Sequence, residues 1–134
     1  MDEIDSSIIA SLRQDARTPF LQIAKRLKVS EGTIRKRVKD LASAGEITKF
    51  TVELKHDVFA IVGIQTETKT HTKSIVEKIL SLGVGTVYEV TGRFDIICAV
   101  PSTTMESVNE MLEQIRCIKG VEHTETFTVL TKHT

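Results

Sequence analysis

No apolar run in these 134 residues approaches the roughly eighteen needed to cross a bilayer, and the opening MDEIDSS is acidic where a secretory signal would be basic. The chain therefore reads as cytoplasmic, with no membrane partner. Cysteine is scarce: Cys98 and Cys117 stand 19 positions apart, each among apolar neighbours and without C-x-x-C spacing, so both are expected as buried structural thiols. The four histidines, His56, His71, His123 and His133, form no i, i+4 pair and join no carboxylate or cysteine cluster of metal-site spacing. No metal site is expected. Nor is there a phosphate-cradling glycine loop or a histidine beside a plausible nucleophile, which argues against an enzyme and against a resident cofactor.

Net charge is also lacking, with 18 cationic residues balancing 18 anionic ones. The balance hides an asymmetry. Residues 1–50 hold ten cations against seven anions, a charge of +3, whereas residues 51–134 hold eight against eleven, a charge of −3. The basic half is also the helical half, which suits a unit that meets a polyanion. A hydrophobic content of 40% with 27% charged residues excludes a disordered chain.

Three helices are expected first. Asp2 is a natural N-cap, and Ile4, Ile8 and Leu12 then recur at helical spacing with Ile9 beside them. Pro19 suits the first turn of a second helix carrying Leu21, Ile23, Ala24 and Leu27. Ser30 is the N-cap type for a third, where Glu31 favours the positive end of the helix dipole. Ile34, Val38 and Leu41 form its apolar stripe, so Gly32, Lys36 and Lys39 fall opposite, flanked by Arg35 and Arg37. Gly45 ends the helix, and Glu46 to Val52 reads as a strand, the wing of a winged helix. Two short helices joined tightly, the second bearing the cations, is the layout of a helix-turn-helix whose second helix enters the major groove. On charge alone, RKRVK reads equally as the solvated face of an ordinary helical bundle.

The ordered string IDSSIIASLRQDARTPFLQIAKRLKVSEGTIRKRVKDLASAGEI weighs for DNA. It resembles the DNA-binding half of the leucine-responsive/asparagine (Lrp/AsnC, feast/famine) family of transcription regulators. The resemblance implies double-stranded DNA as partner and Ser30, Thr33, Arg35, Lys36, Arg37 and Lys39 as the DNA-facing residues. Arginine can fork onto guanine O6 and N7, whereas lysine and hydroxyl groups more often fix register on phosphates. Arg35 or Lys36 is thus expected to read bases and Arg37 and Lys39 to hold backbone. Arg37, beside the apolar stripe, has a second reading as a tie between the third helix and the rest of its module.

From Val58 the order is strand, helix, strand, strand, helix, strand, the ferredoxin-like β-α-β-β-α-β plan, which makes the fold class α+β. VFAIVGIQT is the first strand, TVYEVT and DIICAV the second and third, and VEHTETFTVL the fourth. The first strand is apolar on both faces, yet two helices cover only one face of such a sheet. A second copy of the sheet is the expected cover, hence a homodimer; the other reading folds the N-terminal helices over it.

VTGRFDIICAV matches the V-T-G-x-x-D stretch of the same family at Val90 to Asp95. The resemblance implies a domain whose dimers bind a small effector, often an amino acid, and assemble into tetramers or octamers. Thr91, Gly92, Arg93, Phe94 and Asp95 are the candidate effector residues. Gly92 allows a sharp turn and close approach, Asp95 suits an ammonium group, and the backbone N–H groups of Gly92 to Phe94 suit a carboxylate. A plain hairpin turn and a turn-capping aspartate remain the alternative. Thr124, Thr126 and Thr128 share one strand face and add candidate hydroxyls, though threonines are common on exposed strands.

The expected division is a helix-turn-helix domain over 1–50, a hinge over 51–57 and a dimerising, effector-sensing domain over 58–134. The family usually has a longer turn before the sensing domain than Lys55-His56-Asp57 provides here, which leaves the hinge geometry open. A ligand-independent DNA-architectural protein of the same fold is the alternative function.

Overall fold

The computed structural model describes residues 1–101 and 104–134. The chain divides into two units, Met1–Val52 and Glu53–Thr134.

The first unit is three helices, α1 (Glu3–Gln14), α2 (Phe20–Leu27) and α3 (Glu31–Ser43). Each start has a local cause. At α1 the Asp2 side chain accepts from the Asp5 amide at 2.9 Å while the Asp5 carboxylate accepts from the Asp2 amide, a capping box that satisfies two donors the helix itself cannot. Pro19 lies one position earlier than expected, as the N-cap of α2, with extended backbone. At α3 the Ser30 hydroxyl accepts from the Thr33 amide at 3.1 Å. Gly45, at φ 80°, closes that helix: its amide donates to the Ala42 carbonyl at 3.1 Å and the Glu46 amide to the Leu41 carbonyl at 3.0 Å, the bond pair of a Schellman motif. Ile8, Ile23, Ala24, Ile34 and Val38 are the buried core of this unit.

The segment Glu46 to Val52 is not a strand. Ile47 turns back to pack against the helical core, and its amide donates to the Leu41 carbonyl at 3.2 Å. Alternating β-type residues make a strand only when a neighbouring edge accepts their ladder, and no such pairing forms here among the described residues.

Lys28 ends α2 at φ 57°, the one left-handed residue other than glycine among those described. A Cβ is disfavoured there. Lys28→Gly is expected to stabilise the N-terminal unit by about 0.5–1 kcal/mol, the steric gain outweighing the extra flexibility of glycine in the unfolded chain. Thermal melting of the full chain checks this; an unchanged or lower transition for this unit would contradict it.

The second unit holds β1 (Ala60–Thr66), α4 (Thr72–Ser81), β2 (Val87–Glu89), β3 (Ile96–Val100), α5 (Met105–Arg116) and β4 (Val121–Thr128). The strands form one antiparallel sheet in the order β2-β3-β1-β4, the ferredoxin-like arrangement. Ala60, Val62 and Ile64 on β1 with Ile96, Cys98 and Val100 on β3 face the helices. They bury against Ile75 and Ile79 of α4 and Val108, Leu112 and Ile115 of α5. Burial among these side chains pushes the Cys98 thiol up to about 11. Cys117 differs from expectation: it caps the C-terminus of α5 and is exposed, because the position falls beyond the helix's apolar stripe.

The opposite face of the sheet is apolar in part. Phe94 lies over Gly63, where any Cβ would meet its ring at 2.7 Å, so this stretch of β1 is covered from within the chain. Ile61 stays 40% exposed, beside its register partners Ala99 and Phe127, the latter 48% exposed; Tyr88, beside Ile97, is 58% exposed.

Lys132 ties the chain entering this unit to the chain leaving it. Its ammonium donates to Asp57 Oδ1 at 2.7 Å and to the Leu54 carbonyl at 3.1 Å, and lies 3.1 Å from Glu53 Oε1. The Lys132 hydrogen bond holds the Asp57 carboxyl below its ordinary value. Residues 53–57, expected as part of a hinge, are thus fastened to the second unit.

Candidate nucleic-acid interface and effector turn

The outward side of α3 carries the cations. Lys36 and Lys39 are exposed, and among the described residues neither ammonium group has a hydrogen-bond or ion-pair partner. Arg35 is exposed but braced, paired with Glu31 one turn earlier and with its guanidinium 5.7 Å from the centre of the Phe20 ring. The Ser30 and Thr33 hydroxyls lie 2.8 Å from each other, and Ser30 also caps the helix, so both are partly engaged at its N-terminus.

Arg37 is placed differently from these five. It leans toward α1, pairing with Asp2 and, at 3.2 Å, with Asp5. This is the placement expected of a tie within the module, the second of its two expected roles. The neighbours Phe20, Asp2 and Asp5 were not among the candidate residues. Asp2 and Asp5 carried a helix-start signal, but nothing local relates them to a residue more than thirty positions later.

In the second unit, Gly92 takes φ 118°, which favours glycine, and turns the chain between β2 and β3. Several bonds hold this turn: Val90 N–H to the Asp95 carbonyl and Asp95 N–H to the Ile64 carbonyl, both at 2.9 Å, and Gln65 Nε2–H to the Arg93 carbonyl at 2.9 Å. Asp95 Oδ2 accepts from the Thr66 amide at 2.8 Å and the Thr66 hydroxyl at 3.2 Å, while Oδ1 makes no bond among the described residues. Arg93 reaches Glu125 at 3.2 Å and lies 5.6 Å from the Phe94 ring centre. The amides of Thr91, Gly92, Arg93 and Phe94 have no acceptor among the described residues. Four consecutive amide donors and one carboxylate oxygen without a partner among the described residues thus lie within a few positions of each other.

Thr124, Thr126 and Thr128 do not join this turn. They are register partners of Ile64, Val62 and Ala60 and so lie on the helix-facing side of the sheet, whereas Phe94 covers Gly63 on the other side. Thr124 instead lines an open depression of about 390 Å³ with Arg116, Val121, Glu122 and His123.

Residues 1–42 match the AsnC-type helix-turn-helix domain, and residues 58–134 match the Lrp/AsnC ligand binding domain. The chain belongs to the Lrp/AsnC family. A transcriptional regulator of Sulfurisphaera tokodaii, LysM, is 41% identical over 133 residues, covering 97% of this chain and 95% of the relative. Among solved structures, AsnC of E. coli is 29% identical with a TM-score of 0.73, covering 98% of this chain and 93% of that one. A feast or famine regulatory protein of M. tuberculosis, solved in complex with L-methionine, shares the fold at a TM-score of 0.81 and 21% identity, covering 99% of this chain and 94% of that one.

Membership makes this Lrp/AsnC chain a transcription regulator with a DNA-binding helix-turn-helix and a ligand-binding domain. In the regulator, α3 is the last helix of the first unit and begins within the residues matched to the helix-turn-helix domain, and the Gly92 turn lies within those matched to the ligand-binding domain. No helix among the described residues is long and apolar enough to cross a membrane.

Proposed function

We propose that the regulator works as a dimer that sets two α3 helices into successive major grooves, and that a free amino acid bound at the Gly92 turn modulates its grip. The observation that carries the first part is the pair of unpartnered ammonium groups, Lys36 and Lys39, on the side of α3 opposite its buried stripe. They neutralise phosphates, while Arg35, braced by Glu31 and Phe20, is the base-reading side chain. Dimer partners reading half-sites about 34 Å or a multiple apart imply a palindromic operator.

Dimer formation rests on the uncovered apolar patch of Ile61, Ala99, Phe127, Ile97 and Tyr88, which a second copy of the same sheet complements. Larger assemblies built from such dimers follow the family's habit. For the effector, Asp95 Oδ1 takes the ammonium group and the Gly92 to Phe94 amides take the carboxylate. The M. tuberculosis relative bound to L-methionine supports an amino acid as the class of ligand. A ligand held there shifts DNA affinity only through a difference in affinity for the two assembly states.

Isothermal titration of the full chain with each of the common amino acids tests the effector. At least one is expected to give saturable heat, and Asp95→Asn, which keeps the acceptor for Thr66, is expected to weaken it about tenfold to a hundredfold by removing a charged partner. Absence of heat from every amino acid would leave a ligand-independent DNA-binding protein.

A further inference from the structure

We propose that Arg37 is the positioning residue of the recognition helix, setting the pose of α3 on DNA through Asp2 and Asp5 of α1 and making no phosphate contact itself. The inference rests on the reading of α3 as the DNA-reading helix.

The Arg37 guanidinium bonds to both carboxylates, so a phosphate approaching it would meet two negative charges for one positive. Asp5 is the better shielded of the two, its side chain only 14% exposed, and Arg37 is itself two-thirds covered, so the contact is held within the module. The same two aspartates form the capping box of α1, which makes the N-terminus of one helix and the flank of another a single bonded unit. The hydrogen bond from Arg37 holds the Asp2 carboxyl below the usual carboxylate range, as expected for a partner kept charged.

A contact of this kind fixes the rotation of α3 about its own axis relative to α1. Rotation decides which side chains point at base edges, so its loss blurs sequence reading more than it weakens general attachment to the duplex. Lys36 and Lys39 have the opposite profile.

The test uses the full-length chain, a duplex selected by the unaltered protein from a random library and a mixed-sequence duplex of equal length. Arg37→Gln and the double variant Asp2→Asn/Asp5→Asn are compared with the unaltered chain over a range of salt. Asparagine still caps a helix, so the double variant keeps α1 even where Arg37→Gln fails to fold. Both variants are expected to lower the ratio of selected to mixed-sequence affinity by about tenfold or more. Neither should change the salt slope.

The opposite pattern overturns the inference: a salt slope that falls by about 0.9 for each guanidinium removed in Arg37→Gln, together with tighter binding of both duplexes by Asp2→Asn/Asp5→Asn as repulsive charge leaves and Arg37 is freed. An unchanged affinity ratio in the double variant overturns it equally. If the unaltered chain binds neither duplex at low salt, the reading of α3 fails before the role of Arg37 is reached.

Discussion

Ile61→Thr/Phe127→Lys is expected to sediment as a monomer and to bind its operator about 10²–10⁴-fold more weakly than the unaltered chain. The side chains are register partners on the uncovered face of the sheet, 40% and 48% exposed, so their replacement costs the single chain little burial. Threonine keeps the β-branch that suits β1, and lysine on β4 is held in water by its own charge. In a dimer the same lysine would be carried, with its symmetry mate, into an apolar contact that offers no counter-charge beyond Glu125, which Arg93 already pairs. The lost affinity is that of two half-sites engaged together, since a freed second helix must find its half-site from bulk solution. Analytical ultracentrifugation read beside fluorescence anisotropy decides the matter: a dimer that survives the change places the interface elsewhere, and a monomer with full affinity removes the need for one.

The second large effect concerns salt. Lys36→Ala/Lys39→Ala removes four ammonium groups per dimer, and each phosphate contact contributes about −0.9 to the slope of log affinity against log salt, so the slope is expected to flatten by about 3.6. All sequences should weaken alike, because phosphate contacts carry register and no base identity. Both lysines are exposed and unpartnered, and alanine is a better helix former than lysine, so folding is expected to survive. An unchanged slope would mean that this side of α3 does not face the duplex. The contrast with Arg37 is the useful one: three cations within four positions of one helix are expected to fall into two classes, separated by whether the charge has already found partners in the folded chain.

Much of the architecture is legible in the amino-acid sequence. Asp2, Ser30, Gly45 and Gly92 mark helix starts, a helix stop and a turn because capping and positive φ are properties of a few neighbouring residues. The period of 3.6 likewise picks out the buried stripe of α3, Ile34, Val38 and Leu41, since which residues share a face follows from backbone geometry alone. The resemblance of residues 4–47 and of the stretch around Gly92 to one family carried the functional class.

The sequence thus establishes the element order apart from the Glu46 to Val52 strand, the core of the helical unit and the kind of regulator this is. Which groups meet was settled by the folding of the chain. It turned Arg37 toward Asp2 and Asp5, laid Phe94 on Gly63 and left Cys117 exposed. It put the β4 threonines on the far side of the sheet from the Gly92 turn and denied Glu46 to Val52 a strand to pair with. The reason is one of range: caps and periodicities act within a turn or two, whereas a side chain's partner across thirty residues is selected only when the chain closes and each charge, ring or strand edge takes the neighbour that packing brings to it.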